Sequence, residues 1–294
     1  MKVLRSKVIG FCFGVSNTLE NASKCIEMAK QKGCPCYSIG NLIHNEDVVK
    51  HFQKQGLVTI KTPSDAQPGI ALVRAHGIPD SDRRAFQNAG YELLDSTCPI
   101  VAKGANHLRN AALKGKRTMV IGVKGHAETV GLLGVEVSEG KIVQSALICS
   151  MDDAKAVVES GVFDANEEIV VVTQTTFKAE EFQRIRKYLK ESYHNIRFST
   201  SPCGASTSRV AAVLELAENT DAIVVVGGKA SENTKGLAIA AAKVGKPVFE
   251  ILNETEIDDA MKSRLSGFET VGICSGSSTP TYVLKAVEDV LSKL

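Results

Sequence analysis

Short β-branched runs, each closed by a glycine or small polar turn and followed by an amphipathic stretch, recur throughout this chain, and that alternation restricts it to α/β architectures. Residues 2–9 read as a strand, 15–32 as a helix and 36–39 as a strand again. Runs at 70–73, 118–123, 168–173, 222–226 and 270–273 have the near-continuous apolar character of strands covered on both faces of a parallel sheet. Helical stretches follow at 100–113, 178–192 and 210–218. A chain of 294 residues has room for two or three compact units.

Three cysteines sit where a strand runs into a helix: Cys12 in Gly10-Phe11-Cys12, Cys98 in Ser96-Thr97-Cys98-Pro99 and Cys203 in Pro202-Cys203-Gly204. The unpaired amides and dipole of a helix N-terminus favour negative charge and lower a thiol's pKa. Thiolate is the form that binds iron-sulfur clusters. Unlike a cysteine that merely packs, these three have Gly, Pro, Ser or Thr within two positions on each side. Cys25, Cys149 and Cys274 fit the packing role, and Cys34-Pro35-Cys36 lacks the two-residue spacing of zinc knuckles and redox pairs. A zinc site at Cys12, Cys98 and Cys203 stays open, although structural zinc usually takes four ligands drawn from local pairs.

Six polar loops accompany the three cysteine junctions. They carry His44, His76, His126 with Glu128, Thr175, Ser231 to Asn233, and Ser278. Two loops and one cysteine per segment describe a degenerate threefold repeat, and open parallel sheets bind ligands at the carboxyl ends of their strands. We therefore expect an α/β fold of three small α/β units with parallel sheets in a pseudo-threefold trefoil around a central site. The expected units are 14–98, 99–201, and 202–294 together with 1–13.

Protonatable imidazoles joined by hydroxyl and amide donors suit a compact polyanion such as a diphosphate. Glu128, two residues from His126, is placed to have a raised pKa and to deliver protons. His51, His107 and His194 read as surface residues. Gly227-Gly228-Lys229 lacks the spacing of a Walker motif.

Charge excludes other classes. Lys and Arg number 35 against 33 Asp and Glu, with no basic block, so nucleic acid is not an expected partner. No apolar run is long enough to span a bilayer, and the first fifteen residues lack a secretory pattern. A cytosolic, cytoplasmic location is expected, where eight cysteines would remain reduced.

Taken in order, Gly-Phe-Cys at 10–12, Ile-His-Asn at 43–45, Ala-His-Gly at 75–77, Thr-Cys-Pro at 97–99 and Gly-His-x-Glu at 125–128 form a specific series. Thr-Gln-Thr-Thr at 173–176, Ser-x-Asn at 231–233 and Gly-x-Ser-x-Pro at 276–280 complete it. With them the chain resembles, nearly end to end, the LytB/IspH family of 4-hydroxy-3-methylbut-2-enyl diphosphate reductases, which end the non-mevalonate isoprenoid pathway.

The resemblance implies one [4Fe-4S] cluster held by Cys12, Cys98 and Cys203. It implies substrate binding by His44, His76, His126, Thr175, Ser231, Asn233 and Ser278, with Glu232 in the same loop, and catalytic roles for Glu128, Thr175 and His126. The implied reaction is reductive dehydroxylation of an allylic diphosphate, with ferredoxin or flavodoxin as electron donor.

Five residues depart from the family pattern: Phe13 stands for a small residue, Ala127 for a common Pro, Ala105 for a frequent His, and Ala230 with Glu232 for Asn and a small residue. A carboxylate facing a diphosphate carries a like-charge penalty, so either Glu232 points outward or the substrate differs. Two alternatives from other classes are a non-catalytic iron-sulfur storage or redox-sensing protein, which would need neither Glu128 nor the histidines, and a zinc-stabilised phosphometabolite binder.

Overall fold

The computed structural model describes all 294 residues. In chain order the first stretch is β1 (Lys2–Arg5), α1 (Phe13–Lys32), β2 (Cys36–Ile39), α2 (Glu46–Lys54), β3 (Leu57–Ile60), β4 (Ile70–Val73), α3 (Asp80–Asn88) and β5 (Glu92–Asp95). Next come α4 (Pro99–Leu113), β6 (Arg117–Ile121), α5 (Ala127–Leu133), β7 (Glu136–Ser138), β8 (Lys141–Ile142), β9 (Ser145–Ile148), α6 (Met151–Glu159), β10 (Ile169–Thr173), α7 (Ala179–Ser192) and β11 (Ile196–Phe198). The last stretch is α8 (Gly204–Glu218), β12 (Ala222–Val226), α9 (Glu232–Lys243), β13 (Val248–Ile251), α10 (Asp259–Leu265), β14 (Thr270–Ser275) and α11 (Thr281–Leu291).

Three four-stranded sheets result, ordered β3-β2-β4-β5, β9-β6-β10-β11 and β13-β12-β14-β1. All of their pairings are parallel. The three orders are one pattern: the first strand of each set lies second, its successor lies outside it, and the third and fourth follow on the other side. β1 supplies the fourth strand of the last set, so the expected α/β class and parallel sheets are present. In each sheet the order reverses between the first and third strands, the switch point at which open parallel sheets take ligands.

Alternation of side chains explains why the central strands are apolar throughout. From β12, Ala222, Val224 and Val226 pack with Leu284 and Val287 of α11, while Ile223 and Val225 pack on the opposite face with Val213 of α8 and Leu237 of α9. In β10, Ile169 and Val171 meet Phe182 and Ile185 of α7. Its Val172 faces Leu108 of α4 and Leu132 of α5.

By compactness the chain falls into two units, one of Met1–Ser16, Ile43–His51 and Gly204–Leu294, the other of Asn17–Leu42 and Phe52–Cys203. The first holds the sheet β13-β12-β14-β1; the second holds the other two. In the second unit α3 meets α4 and β7 at a polar seam. Arg84 grips Glu136 with two nitrogens, at 2.6 and 3.0 Å. Asp80 accepts from Arg109 and from the Glu136 amide, both at 2.8 Å.

Some boundaries differ from the sequence expectation. The first strand stops at Arg5 instead of reaching residue 9, because after Ser6 donates to Ile273 the chain turns away to offer its carbonyls to Arg209. The helix expected to begin at 210 begins at Gly204. The outer strands β3, β5, β11 and β13 and the antiparallel pair β7–β8 have no counterpart in that reading. They are short and partly polar, since only one of their edges pairs.

Candidate functional site

At the carboxyl edge of each sheet the chain repeats one hydrogen bond. The Cys98 amide donates to Ala75 (2.9 Å), the Cys203 amide to Thr175 (2.7 Å) and the Cys12 amide to Ser277 (3.1 Å). Each acceptor lies two residues past the end of the third strand of its set. Ala75, Thr175 and Ser277 are therefore structural equivalents, as are the three cysteines.

Each of these cysteines immediately precedes a long helix, α1, α4 or α8, of 20, 15 and 15 residues. The Cys12 and Cys98 carbonyls accept the first helical amides, from Ser16 and Ala102. All three residues are partly exposed, whereas Cys25, Cys36 and Cys274 are buried. Burial pushes the Cys25 and Cys274 thiols up to about 12, which leaves them protonated and inert. The bracing of Cys12 comes from Arg209 of α8, whose Nη2 donates to Gly10 (2.8 Å) and whose Nη1 reaches Val8 and Ser275 (both 3.4 Å). Sequence reading missed Arg209; its signal is a lone charge in an otherwise uncharged run from 204 to 214.

In the second unit His76 follows β4 and His126 follows β6, and their rings meet edge-on with centroids 5.5 Å apart. His126 caps α5: its Nδ1 accepts the Glu128 amide at 3.2 Å, which leaves Nε2 to carry the proton of the neutral ring. That cap turns Glu128 inward, where it is 2% exposed. Its Oε1 accepts the Thr175 amide (2.7 Å) and its Oε2 the Thr175 hydroxyl (2.6 Å). Burial disfavours the charged form and pushes this carboxyl up to about 7, against the two Thr175 donors, which favour the carboxylate. The result is a buried acid that exchanges a proton near neutrality, hydrogen-bonded to a hydroxyl. Beside His76 a cavity of about 210 Å³ opens between α4 and α5, with Ala102, Ala105 and Leu132 in its wall.

In the first unit the expected substrate-binding residues are tied into the loops after β12 and β14. Ser231 caps α9 by accepting the Thr234 amide (3.3 Å), and Asn233 Oδ1 accepts the Ser277 amide (2.9 Å). The Ser278 hydroxyl donates to the His44 carbonyl (3.3 Å), against which Gly228 also packs so closely that a Cβ would collide. Glu232 pairs with Lys235 one turn along α9 (2.9 Å). Phe13, next to Cys12, is 73% exposed.

These features define a parallel α/β protein with three equivalent sheets, each ending in polar loops and a cysteine directly before a helix. The family model described as LytB protein matches residues 3–292, and the chain belongs to that family. A 4-hydroxy-3-methylbut-2-enyl diphosphate reductase of Solidesulfovibrio magneticus is 32% identical over 296 residues, covering 99% of each chain. One of Treponema denticola is 30% identical with the same coverage. Among solved structures, the E-1-hydroxy-2-methyl-but-2-enyl-4-diphosphate reductase of Plasmodium falciparum superposes with a TM-score of 0.84 at 24% identity, covering 100% of this chain and 87% of that one. No helix is long and apolar enough to cross a membrane.

Proposed function

We propose that this chain is an iron-sulfur reductase that converts (E)-4-hydroxy-3-methylbut-2-enyl diphosphate to isopentenyl and dimethylallyl diphosphate, the last step of the non-mevalonate pathway. The reaction consumes two electrons and two protons and releases the hydroxyl as water. The observation that carries this reading is the Glu128–Thr175 pair beside His126 and His76: a buried acid poised near neutral pH, at the strand edge where such sheets take ligands, in a member of the LytB family.

The cysteines fit a cluster. Three soft donors stand at equivalent helix N-termini, partly exposed and outside any disulfide, while the thiols that burial keeps protonated lie elsewhere. Cys12, Cys98 and Cys203 would hold a [4Fe-4S] cluster, leaving one iron without a protein ligand, and the three sheets would surround it as a trefoil with units 14–98, 99–201, and 202–294 plus 1–13. When bound, the cluster supplies single electrons and a Lewis-acidic iron.

The chain's own residues bind, orient and protonate. His44, His76 and His126 donate to the diphosphate with Ser231, Asn233 and Ser278, and Glu232 stays paired with Lys235. Thr175 lies next to the substrate hydroxyl and relays the Glu128 proton to the departing oxygen. Glu128 then recovers a proton from solvent, because its pKa lies close to the working pH. Electrons come from a small carrier, ferredoxin or flavodoxin, in the cytoplasm, since no nicotinamide or flavin fingerprint occurs in the sequence.

The deciding experiment is anaerobic purification with cluster reconstitution, followed by an assay on the allylic diphosphate with a chemical reductant. Both isomeric diphosphates are expected. A fully loaded protein that yields neither would overturn the assignment and favour a paralogue with another substrate or a non-catalytic role. Zinc near one per chain with no iron would select the zinc-stabilised binder.

A further inference from the structure

Arg74 leaves β4 two residues before His76, and its guanidinium lies over Gly40, the first residue after β2. Nη1 donates to the Asn41 carbonyl (3.0 Å), while Nε is enclosed without an acceptor. The side chain thus ties together the two loops that flank the switch point between β2 and β4. The other two sheets show what such a tie requires. After β10 the equivalent residue is Gln174, whose Oε1 accepts the Val123 amide (2.7 Å) from the loop after β6; after β14 it is Gly276. A neutral amide suffices for the tie in one sheet, and the other manages with no side chain at all.

The charge of Arg74 is therefore surplus to its structural task. It has no ion pair, and burial lowers its proton affinity. Arg209 is also enclosed, but it reaches three carbonyls. A partly buried cation with a single neutral acceptor costs stability until an anion joins it.

We propose that Arg74 is a further binding residue for the diphosphate of the substrate, a fixed positive charge at the carboxyl edge of β2 and β4 that acts alongside His76. The inference rests on the proposed function for the identity of the ligand. Its influence falls on binding and not on the chemical step, because the guanidinium is held by the Asn41 carbonyl after β2, whereas Glu128 follows β6 in another sheet.

Arg74→Gln, which reproduces the residue found after β10, and Arg74→Lys test it in the cluster-loaded enzyme. A unit charge that acts on a polyanion through an effective dielectric of about 20, without touching it, changes binding by about tenfold. Arg74→Gln is thus expected to raise KM about tenfold with kcat within about twofold, without lowering the thermal midpoint. Calorimetry should show affinity for inorganic diphosphate weakened by a similar factor, and Arg74→Lys should restore most of both. Unchanged KM and unchanged diphosphate affinity in Arg74→Gln would overturn the proposal. So would a lysine variant as impaired as the glutamine one, which would make the shape of the guanidinium the cause. If wild-type protein fails to reduce the allylic substrate, the functional reading falls, yet the diphosphate affinities of wild type and Arg74→Gln still decide the role of Arg74.

Discussion

At the scale of single residues, the Glu128 carboxyl is governed by one competition. Enclosure raises its pKa and two Thr175 donors lower it; enclosure prevails and the value settles at about 7. If the protonated form is the proton donor, kcat should fall as pH rises through that value, and Glu128→Gln should lose roughly a hundredfold or more in turnover while keeping its cluster and its affinity for inorganic diphosphate. The sign for stability follows from linkage. A raised folded-state pKa means that the native protein binds this proton more tightly than the unfolded chain does. Its contribution is complete below the ordinary value of 4.5 and lost as pH rises to about 7. The melting point of Glu128→Gln relative to wild type should therefore improve between pH 5 and pH 8, and a constant difference would contradict the assigned burial. For Cys98, replacement by serine should abolish stable iron loading, read as iron per chain and visible absorption, because a hydroxyl is a poor substitute for thiolate.

At the scale of elements, the loops work because helix ends hold them. Ser231 caps α9 and so fixes the start of the turn that presents Asn233, itself bonded to the Ser277 amide. Ser231→Ala should cost about 1 kcal/mol in chemical denaturation, the usual worth of a lost cap. Gly228 is constrained by proximity: its α-carbon lies against the His44 carbonyl with no room for a methyl group. Gly228→Ala must displace the His44 loop, so its KM for the diphosphate should rise even if its melting point changes little. An unaltered KM would show that His44 does not depend on that contact.

At the scale of the whole molecule, the second unit shows how α3 and the β7–β8 pair, distant in sequence, are held together by charge. Glu136 is buried, takes both nitrogens of Arg84 and accepts the Gly140 amide, and Arg84 holds its carboxyl below the usual range. Its dependence on pH is the reverse of that of Glu128. A lowered folded-state pKa gives stability that is present above the unfolded value and lost as pH falls through the folded one. Arg84→Met should leave an unpaired buried carboxylate and lower the urea midpoint at neutral pH, with the gap from wild type closing in acid. The double variant Arg84→Met, Glu136→Gln should recover part of the loss; full additivity of the two changes would argue against direct coupling.

The strands covered on both faces and the three thiol-bearing helix starts were legible in the amino-acid sequence, because long apolar runs and residues such as Gly, Pro and Cys act through local rules. From the same source came the six polar loops, which mark strand ends wherever the fold places them. The narrow outer strands were not legible, since four residues paired on one edge carry little periodicity. Arg74 and Arg209 escaped notice because an arginine looks the same in sequence whether it faces water or backbone carbonyls. Only the tertiary structure decided that Glu128 is enclosed and that Thr175, 47 positions away, supplies both of its hydrogen bonds. Burial and pairing across such separations depend on how strands register, and no local pattern encodes that.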